Sequence, residues 1–181
     1  MQGQRLPPMT MGELVLKPPW PAMMTAIWRD ETRYRAYFQN QGWFHTGDMV
    51  IVDEQGYYFH QGRMDDLIKV GVKLVGPYEI EQALCRHPAV NEAAVIAKTT
   101  KPGEPLIKAY VSCQPGIIPS ARLNQEIRAF VHNSLSADIN LKEIVFIEKI
   151  PKTLSGKILR RVLRVMDLGL PAGDPEKLKD E

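Results

Sequence analysis

The stretch GRMDDLIKVGVKLVGPYEIEQAL (62–84) decides how this chain is divided. From this stretch onward, β-rich runs alternate with amphipathic helical patterns, whereas the residues before it are rich in strands. Pro77 suits the first turn of a helix because its missing N–H would have no partner there. Ile80 and Leu84 recur on one face of that helix. We therefore predict a boundary near Gly62, followed by an α+β unit of mixed strands and helices.

The unit after this boundary is predicted to alternate between strands and helices. Residues 66–76 hold one or two strands, and longer apolar runs and amphipathic patterns follow them. We predict strands at 90–97, 106–113 and 143–151, and helices at 77–88, 120–135 and 157–170. Ser120 is a favourable N-cap for the second of these helices. The last helix is predicted to begin at Lys157.

The residues before the boundary form a different pattern. We predict strands at 12–16 and 23–28, a helix at 30–38 capped by Asp30, and a hairpin at 48–63 that turns at 53–56. Few strands without a helix layer make a poor independent core. Residues 1–62 are therefore predicted to be incomplete by themselves. We predict that the small core of this segment contains Trp20, Trp28 and Trp43.

Composition narrows the class of protein. The chain has 181 residues, 44% of them apolar and 24% charged, with a net charge of +2, which is typical of a globular protein. So mild a charge does not favour a nucleic-acid or membrane partner. Cys85 and Cys113 are isolated, which argues against a disulfide framework or zinc site and favours a reducing cytosol. We expect no signal peptide and no membrane-spanning segment.

The segment PKTLSGKILRR (151–161) carries the densest group of candidate functional side chains. A lysine at a helix start gains nothing from the helix dipole, whereas an anion is favoured there by the dipole and by free N–H groups. Ser155 and Gly156 permit a tight turn just before Lys157. The spacing leaves two interpretations open: Lys157 binds an anion, or it is a solvated lysine in a basic surface patch.

Two further groups of charged residues are candidates. Asp48 opens the predicted hairpin and Arg63 closes it, so the two side chains are expected to be neighbours. A carboxylate beside a guanidinium can bind a diol, because each hydroxyl both donates and accepts hydrogen bonds. The alternative is a simple ion pair at the end of a sheet. The pair Asp65-Asp66 lies at the boundary, where orienting or capping a connection is a simpler role than acid–base or metal chemistry.

Four motifs together resemble one enzyme family. In the family's order, they are GWFHTGD (42–48), YYFHQGRMDDLIKV (57–70), GPYEIEQAL (76–84) and PKTLSGKILRR (151–161). They resemble the AMP-forming acyl-CoA synthetases of the adenylate-forming superfamily. The stretch WPAMMTAIWRDETRYRAYF (20–38) is similar to the short-chain synthetases of the acetate–CoA ligase type, an ATP-dependent class of acid–thiol ligase.

The resemblance implies a domain organisation. Residues 1–62 correspond to the β-rich end of a large amino-terminal AMP-binding domain, 63–66 to a hinge, and 67–181 to a mobile carboxy-terminal lid domain. The family's phosphate loop and acyl pocket have no counterpart in these residues. The resemblance therefore implies a fragment or a truncated gene product that is inactive alone and needs the amino-terminal domain as its partner.

The resemblance also implies roles for individual residues. In the family, a carboxylate attacks the α-phosphate of ATP, and after the small domain rotates, the thiol of CoA attacks the resulting acyl-adenylate. Lys157 corresponds to the catalytic lysine of the first step. Asp48 and Arg63 correspond to the nucleotide-binding residues that hold the ribose. Asp65 corresponds to the hinge residue, whose side chain has no part in the chemistry.

The implied ligands follow from the same roles. They are ATP or AMP, coenzyme A and a small carboxylate such as acetate, with Mg²⁺ accompanying ATP at a site outside this chain. No nucleic-acid or membrane partner is implied, and the location is cytoplasmic. Lysines in the position of Lys157 are also targets of reversible acetylation, which implies an acetyltransferase and a deacetylase as partners.

The loop expected to face CoA departs from the family pattern. That face corresponds to Gly71, Val72, Lys73, Leu74 and, on a later helix, His132. Val72 stands where a glycine usually lets pantetheine pass close to the backbone, and Leu141 stands where proline is common. These departures keep a second hypothesis open, in which the chain is a non-catalytic paralogue that binds nucleotide, CoA or a protein.

Overall fold

The computed structural model describes most of the chain as two compact units, residues 1–65 and 66–181. The described residues are 4–38, 42–70, 73–101, 104–135, 139 and 141–169, with the backbone alone described at 99–101, 104 and 105. Each unit has its own sheet and its own helices. The division falls between Asp65 and Asp66, within a single 3-10 turn over Met64–Asp66.

The first unit is a small antiparallel sheet with one short helix. Its elements are β1 (Met11–Leu16), α1 (Glu31–Ala36), β2 (Phe44–Val52) and β3 (Tyr58–Arg63). The strands lie in the order β1-β2-β3. The carboxylate of Asp30 accepts the N–H of Arg33 at 2.9 Å, so the predicted cap of α1 is confirmed. The predicted hairpin is also confirmed, and its turn closes where the Asp53 N–H donates to the Tyr57 carbonyl at 3.0 Å.

Two predictions for this unit were wrong. Residues 23–28 form no strand, because reverse turns close on both sides of them, through Met23 to Trp20 and through Asp30 to Ile27. Trp20 and Trp28 are exposed, the latter by 85%. Among the described residues of this unit, Met49 and Val50 are the buried apolar side chains. A three-stranded sheet with one six-residue helix lacks the second layer that would bury a tryptophan.

The second unit is the α+β domain that the sequence predicted. Its elements are β4 (Ile68–Val70), β5 (Lys73–Val75), α2 (Pro77–Cys85), β6 (Val90–Lys101), β7 (Glu104–Cys113), α3 (Ala121–Ser134), β8 (Leu141–Phe146) and α4 (Arg160–Asp167). β4 and β5 form an antiparallel pair. In the larger sheet β6 runs antiparallel to β7, and β7 runs parallel to β8. The Ser120 hydroxyl accepts the N–H of Leu123 at 3.1 Å, which confirms the predicted cap of α3.

Both faces of this sheet are buried, because successive side chains of a strand point in opposite directions. Val95 of β6 and Val111 of β7 belong to the main core, together with the apolar faces of α2 and α3. The intervening side chains belong to a second core on the other face, whose members are Ala94, Ile96, Tyr110, Ile150 and Leu163. α4 and the segment before it therefore pack on the face opposite α2 and α3.

The start of the last helix differs from the prediction. α4 begins at Arg160 and not at Lys157, and its N-cap residue Leu159 makes no side-chain capping bond. β8 likewise ends at Phe146, before the predicted end at 151. The residues between these elements instead close a turn through backbone hydrogen bonds, which include the Leu159 N–H to the Pro151 carbonyl at 2.9 Å. Because these hydrogen bonds hold the backbone in a turn, α4 begins three residues later than predicted.

A buried ion cluster holds the far end of α4 to the sheet. The Asp167 carboxylate accepts hydrogen bonds from Lys108 at 2.5 Å and from Lys98 at 3.4 Å, and Lys108 also contacts Glu143 at 3.2 Å. Burial would raise the pKa of Asp167, but the hydrogen bond and charge of Lys108 outweigh it and lower that pKa. Burial would lower the pKa of Lys108, but its bonds to Asp167 and Glu143 raise it.

We expect Asp167→Asn to lower the free energy of unfolding at pH 7 by about 1–2 kcal/mol, because Lys108 loses a charged hydrogen-bond partner and keeps only Glu143. The folded pKa of Asp167 lies below its ordinary value of 3.8. The stabilisation is therefore present above pH 3.8 and is lost as the pH falls through the folded pKa. Urea unfolding of parent and variant across this pH range measures it. A difference that stays constant with pH would contradict the assignment.

Candidate functional site

The open end of the β2–β3 hairpin brings Asp48 and Arg63 together. They are directly paired across the two strands. Arg63 Nη1 lies 3.5 Å from Asp48 Oδ1 and donates to the Thr46 carbonyl at 2.7 Å. Both side chains are only partly buried, with 43% of Arg63 and 33% of Asp48 exposed. A carboxylate and an oriented guanidinium side by side can together bind neighbouring hydroxyl groups.

Gly47 makes this approach possible. Its φ angle is +72°, and a Cβ atom at this position would lie 2.9 Å from Nη2 of Arg63. Only glycine adopts this backbone conformation readily and also leaves the guanidinium its place. The hydrogen bond to Thr46 therefore holds the arginine against the 46–48 backbone, and the absence of a side chain at Gly47 leaves room for it there.

Glu13 and His60 belong to this end of the sheet although sequence reasoning did not select them. Glu13 Oε1 accepts the Gly47 N–H at 3.2 Å, and Oε2 lies 2.8 Å from Nδ1 of His45. His60 Nε2 lies 3.6 Å from Asp48 Oδ1. Glu13 is more than thirty positions away in the chain, and no local pattern signals it. The closeness of His60 depends on the register shift between Met49 and Val50.

The PKTLSGK segment forms a closed turn that ends at Lys157. Lys152 and Ile158 form an antiparallel bridge. Inside it, the Thr153 N–H donates to the Lys157 carbonyl at 2.8 Å, and the Lys157 N–H donates to Thr153 Oγ1 at 3.1 Å. Gly156 completes the turn with a φ of +88°. The argument from the helix dipole therefore does not apply to Lys157, because its backbone groups are already used by Thr153.

The cations around this turn differ in whether they have an ion-pair partner among the described residues. The Lys152 ammonium is paired with the Glu92 carboxylate. Arg160 Nη2 binds the two oxygens of Glu81 at 2.6 and 2.8 Å. The Lys157 ammonium is exposed and has no hydrogen bond or ion pair with any described residue. Of these three cations, Lys157 alone is available to a ligand.

Arg160 lies in a network of ion pairs and is not a solvated residue of a basic surface patch. Its side chain is 19% exposed, and it contacts Asp66 Oδ2 at 3.7 Å as well as Glu81. Arg164 Nη2 binds Asp66 Oδ1 at 2.7 Å. Burial raises the pKa of the Glu81 carboxyl, and the Arg160 charge and the Val95 N–H oppose that shift. The charge of Arg160 therefore stabilises Glu81 as a buried carboxylate.

Asp65 and Asp66 are adjacent but lie in different environments. The Asp65 side chain is 75% exposed and lies 3.5 Å from Nε of Arg63. The Asp66 side chain is 14% exposed and is paired with Arg160 and Arg164. The structure thus distinguishes the two carboxylates: Asp65 is mostly exposed beside Arg63, and Asp66 is paired with two arginines of the second unit.

The residues expected to face CoA are only partly described. Gly71 and Val72 lie outside the described residues. Lys73 and Leu74 are in β5, opposite Val70 and Lys69, and Leu74 is exposed. His132 is exposed on α3.

Leu141, the position where proline is common in the family, is a core residue in this chain. It is buried at the start of β8 and pairs with Ile107. Its apolar side chain belongs to the main core of the second unit. The departure at this position is therefore accommodated by packing.

The structure also bears on metals and membranes. Within the described ranges, no group of three or more His, Cys, Asp and Glu side chains is arranged to hold a metal ion. Among the described helices, none combines the length and the apolarity needed to cross a membrane.

Comparison with known proteins identifies a family for part of the second unit. Residues 79–157 match the family model of the AMP-binding enzyme C-terminal domain. This segment belongs to that family. The match begins in α2 and ends at Lys157, so it contains Glu81 and the whole 151–157 turn. The second unit is thus built around the AMP-binding C-terminal domain.

Relatives in sequence are CoA synthetases. The chain is 46% identical over 179 residues to an acetyl-coenzyme A synthetase of Bacillus subtilis, which covers 99% of this chain and 31% of that protein. It is 36% identical over 183 residues to a 3-hydroxypropionyl-coenzyme A synthetase of Metallosphaera sedula, covering 99% of this chain and 28% of that protein. The chain therefore spans about 30% of the length of the curated relatives it matches.

Solved structures of adenylate-forming ligases share the fold. An anthranilate CoA ligase in complex with anthranoyl-AMP is 36% identical with a TM-score of 0.81, covering 93% of this chain and 31% of that chain. A benzoate CoA ligase from Burkholderia xenovorans LB400 is 34% identical with a TM-score of 0.77, covering 90% of this chain and 32% of that chain. The AMP-binding C-terminal domain and its α+β fold are thus supported by sequence and by structure.

Proposed function

We propose that this chain acts as the carboxy-terminal part of an ATP-dependent acyl-CoA synthetase of the acetate–CoA ligase type. In the first step a carboxylate oxygen bonds to the α-phosphorus of ATP and pyrophosphate leaves, which gives an acyl-adenylate. In the second step the sulfur of CoA bonds to the acyl carbon, its proton is lost, and AMP leaves. The relatives named as acetyl-coenzyme A synthetases support acetate as the acid.

The observation that carries this proposal is the ammonium of Lys157, which has no partner among the described residues, at the end of a turn whose flanking cations Lys152 and Arg160 are paired. The first step brings a carboxylate and a phosphate, both anionic, into contact. A positioned cation lowers their repulsion and stabilises the charge that develops on the phosphate oxygens. An exposed lysine without a partner among the described residues meets this need without breaking an ion pair seen there.

The other site residues are assigned within the same proposal. Asp48 accepts hydrogen bonds from the ribose hydroxyls of the nucleotide, and Arg63, held by Thr46, orients that carboxylate and donates to the hydroxyl oxygens. Asp65 is the hinge residue, for which its exposure and its place at the division between the units give support. The 63–66 connection would then carry the rotation between the two steps.

The CoA step is assigned to the β4–β5 side of the second unit. The loop 71–74 approaches pantetheine in this proposal, and the exposed His132 approaches the CoA nucleotide. Mg²⁺ accompanies ATP and is held by residues outside this chain. The amino-terminal domain is the principal partner, and the exposed amine of Lys157 is a substrate for a lysine acetyltransferase. The free cysteines Cys85 and Cys113 support a cytoplasmic location.

A chimera tests the proposal directly. This chain replaces the matching 31% of the Bacillus subtilis acetyl-coenzyme A synthetase, and acetyl-CoA formation from acetate, ATP and CoA is measured. We expect activity well above that of the same enzyme lacking the replaced part, because the Lys157 turn completes the adenylation site. The native enzyme is the positive control. A folded chimera that forms neither acetyl-adenylate nor acetyl-CoA would contradict the proposal.

A further inference from the structure

The tip of the Lys157 turn has no packing of its own. Leu154, at the tip, is fully exposed, and Ser155 and Gly156 are exposed beside it. The hydrogen bonds inside the turn join its residues to one another and not to the rest of the domain. The position of the Lys157 ammonium therefore depends on how the two ends of the turn are attached.

The two ends are attached by apolar packing, since Ile150 and Ile158 lie on the second core, and by ion pairs of different character. At the first end, Lys152 binds Glu92, and both side chains are about one-third exposed. At the second end, the Arg160 guanidinium binds both oxygens of Glu81, whose side chain is 6% exposed. Arg160 Nε also donates to the Val95 carbonyl at 3.3 Å. The Glu81 pair, in which Nη2 alone contacts both carboxylate oxygens, is mostly buried and therefore poorly screened by salt, whereas the exposed pair is screened.

Arg160 also lies in the first turn of α4, which has no side-chain cap. The N-cap residue Leu159 offers no side-chain acceptor to the first turn. The same guanidinium lies 3.7 Å from Asp66, the residue that follows the proposed hinge residue, and Arg164 of the next turn binds that carboxylate too. A continuous set of ion pairs thus joins residue 66 to the residue three positions after Lys157.

We propose that Arg160 is a positioning residue, which fixes the Lys157 turn to Glu81 of α2 and to Asp66 beside the hinge. The positioning itself is a property of the second unit, while its consequence for adenylation rests on the proposed function. Arg160 touches no substrate in this proposal. It acts by keeping the turn and the hinge-side residue in one rigid body, so that rotation at residue 65 moves Lys157 as a unit with the domain.

The first test uses the 181-residue chain alone and needs no ligand. Amide hydrogen exchange is measured by NMR at Thr153, Gly156 and Lys157 in the parent and in Arg160→Gln. We expect exchange at these amides to become about tenfold faster in the variant, since local opening of the turn is no longer opposed. Arg160→Lys, which keeps the charge but loses the guanidinium that contacts Glu81, Asp66 and Val95 together, is expected to fall between them and serves if Arg160→Gln does not fold.

Asp167→Asn is the matched control for this test. Asp167 belongs to the same helix, its side chain is 7% exposed, and its loss breaks an ion pair with Lys108 rather than with the turn. It is expected to lower global stability without selectively accelerating exchange at the turn. If Asp167→Asn and Arg160→Gln accelerate the turn amides equally, Arg160 only stabilises the fold and the proposal is overturned.

The second test measures the two half-reactions of the chimera. We expect Arg160→Lys to lower acetate-dependent exchange of pyrophosphate into ATP about 100-fold, because small displacements of a catalytic group have effects of that size. Thioester formation from supplied acetyl-adenylate is expected to stay unchanged. Parallel loss of both half-reactions would overturn the positioning role. Faster exchange at the turn with unchanged adenylation would support the positioning and reject the role proposed for Lys157.

Discussion

Lys157→Ala should lower acetyl-adenylate formation by the chimera about 1000-fold, an effect of the size seen when a group that stabilises transition-state charge is removed. Thioester formation from supplied acetyl-adenylate should be unchanged, because Lys157 is assigned to the first step alone. Pyrophosphate exchange measures the first step, and release of free AMP from acetyl-adenylate and CoA measures the second. The separation of the two rates is the informative result.

Lys152→Ala is the matched control for this prediction. It removes an ammonium from the same turn, but one that is paired with Glu92. We expect it to lower adenylation far less than Lys157→Ala, since no free cation is lost. Equal effects of the two variants would mean that the turn contributes general positive charge. Equal loss of both half-reactions in Lys157→Ala would mean that the lysine supports the fold or the domain arrangement and not the chemistry of one step.

Asp48→Ala should lower kcat/KM for ATP by about 100-fold, which corresponds to the loss of charge-assisted hydrogen bonds. The expected cause is the loss of the carboxylate that accepts from the ribose. Steady-state kinetics of the chimera with ATP measures this effect. Glu54→Ala is the control, because this carboxylate is exposed at the opposite end of the same hairpin.

Deoxy analogues of ATP separate a ribose contact from general destabilisation. If Asp48 binds a ribose hydroxyl, removal of that hydroxyl should impair the parent chimera and have little further effect in Asp48→Ala. Additive losses for both 2′-deoxy-ATP and 3′-deoxy-ATP would contradict the ribose assignment. In that case the pair of Asp48 and Arg63 would be an ion pair that closes the end of the sheet.

The order of elements in the second unit was accessible from sequence because each is signalled locally. Pro77 marks the start of α2, and Ser120 caps α3 as predicted. The start of α4 was not accessible, since the pattern of Ile158, Val162 and Leu163 is the same whether the helix begins at 157 or 160. The Thr153 bonds to Lys157 and the Leu159 bond to Pro151 decide it, and they arise only when the turn closes.

The candidate site likewise combines features that the sequence predicts with features that depend on the tertiary structure. Asp48 and Arg63 are adjacent because a hairpin brings its ends together, which the sequence implied, whereas the support from Glu13 depends on the pairing of β1 with β2. The arginines near Lys157 appear in the sequence as one basic patch. In the structure, Arg160 is paired with Glu81, which lies 79 positions away in the sequence.

By itself, the sequence determined the α+β class, and it predicted a boundary near Gly62 and selected Lys157, Asp48 and Arg63 as candidates. Local periodicity, turn residues and the order of four motifs carry that information. Only the tertiary structure decided which cations are free: Lys152 and Arg160 are paired, and Lys157 is exposed without a partner among the described residues. The physical reason is that an ion pair requires two charges within about 4 Å, and folding alone brings distant parts of the chain that close.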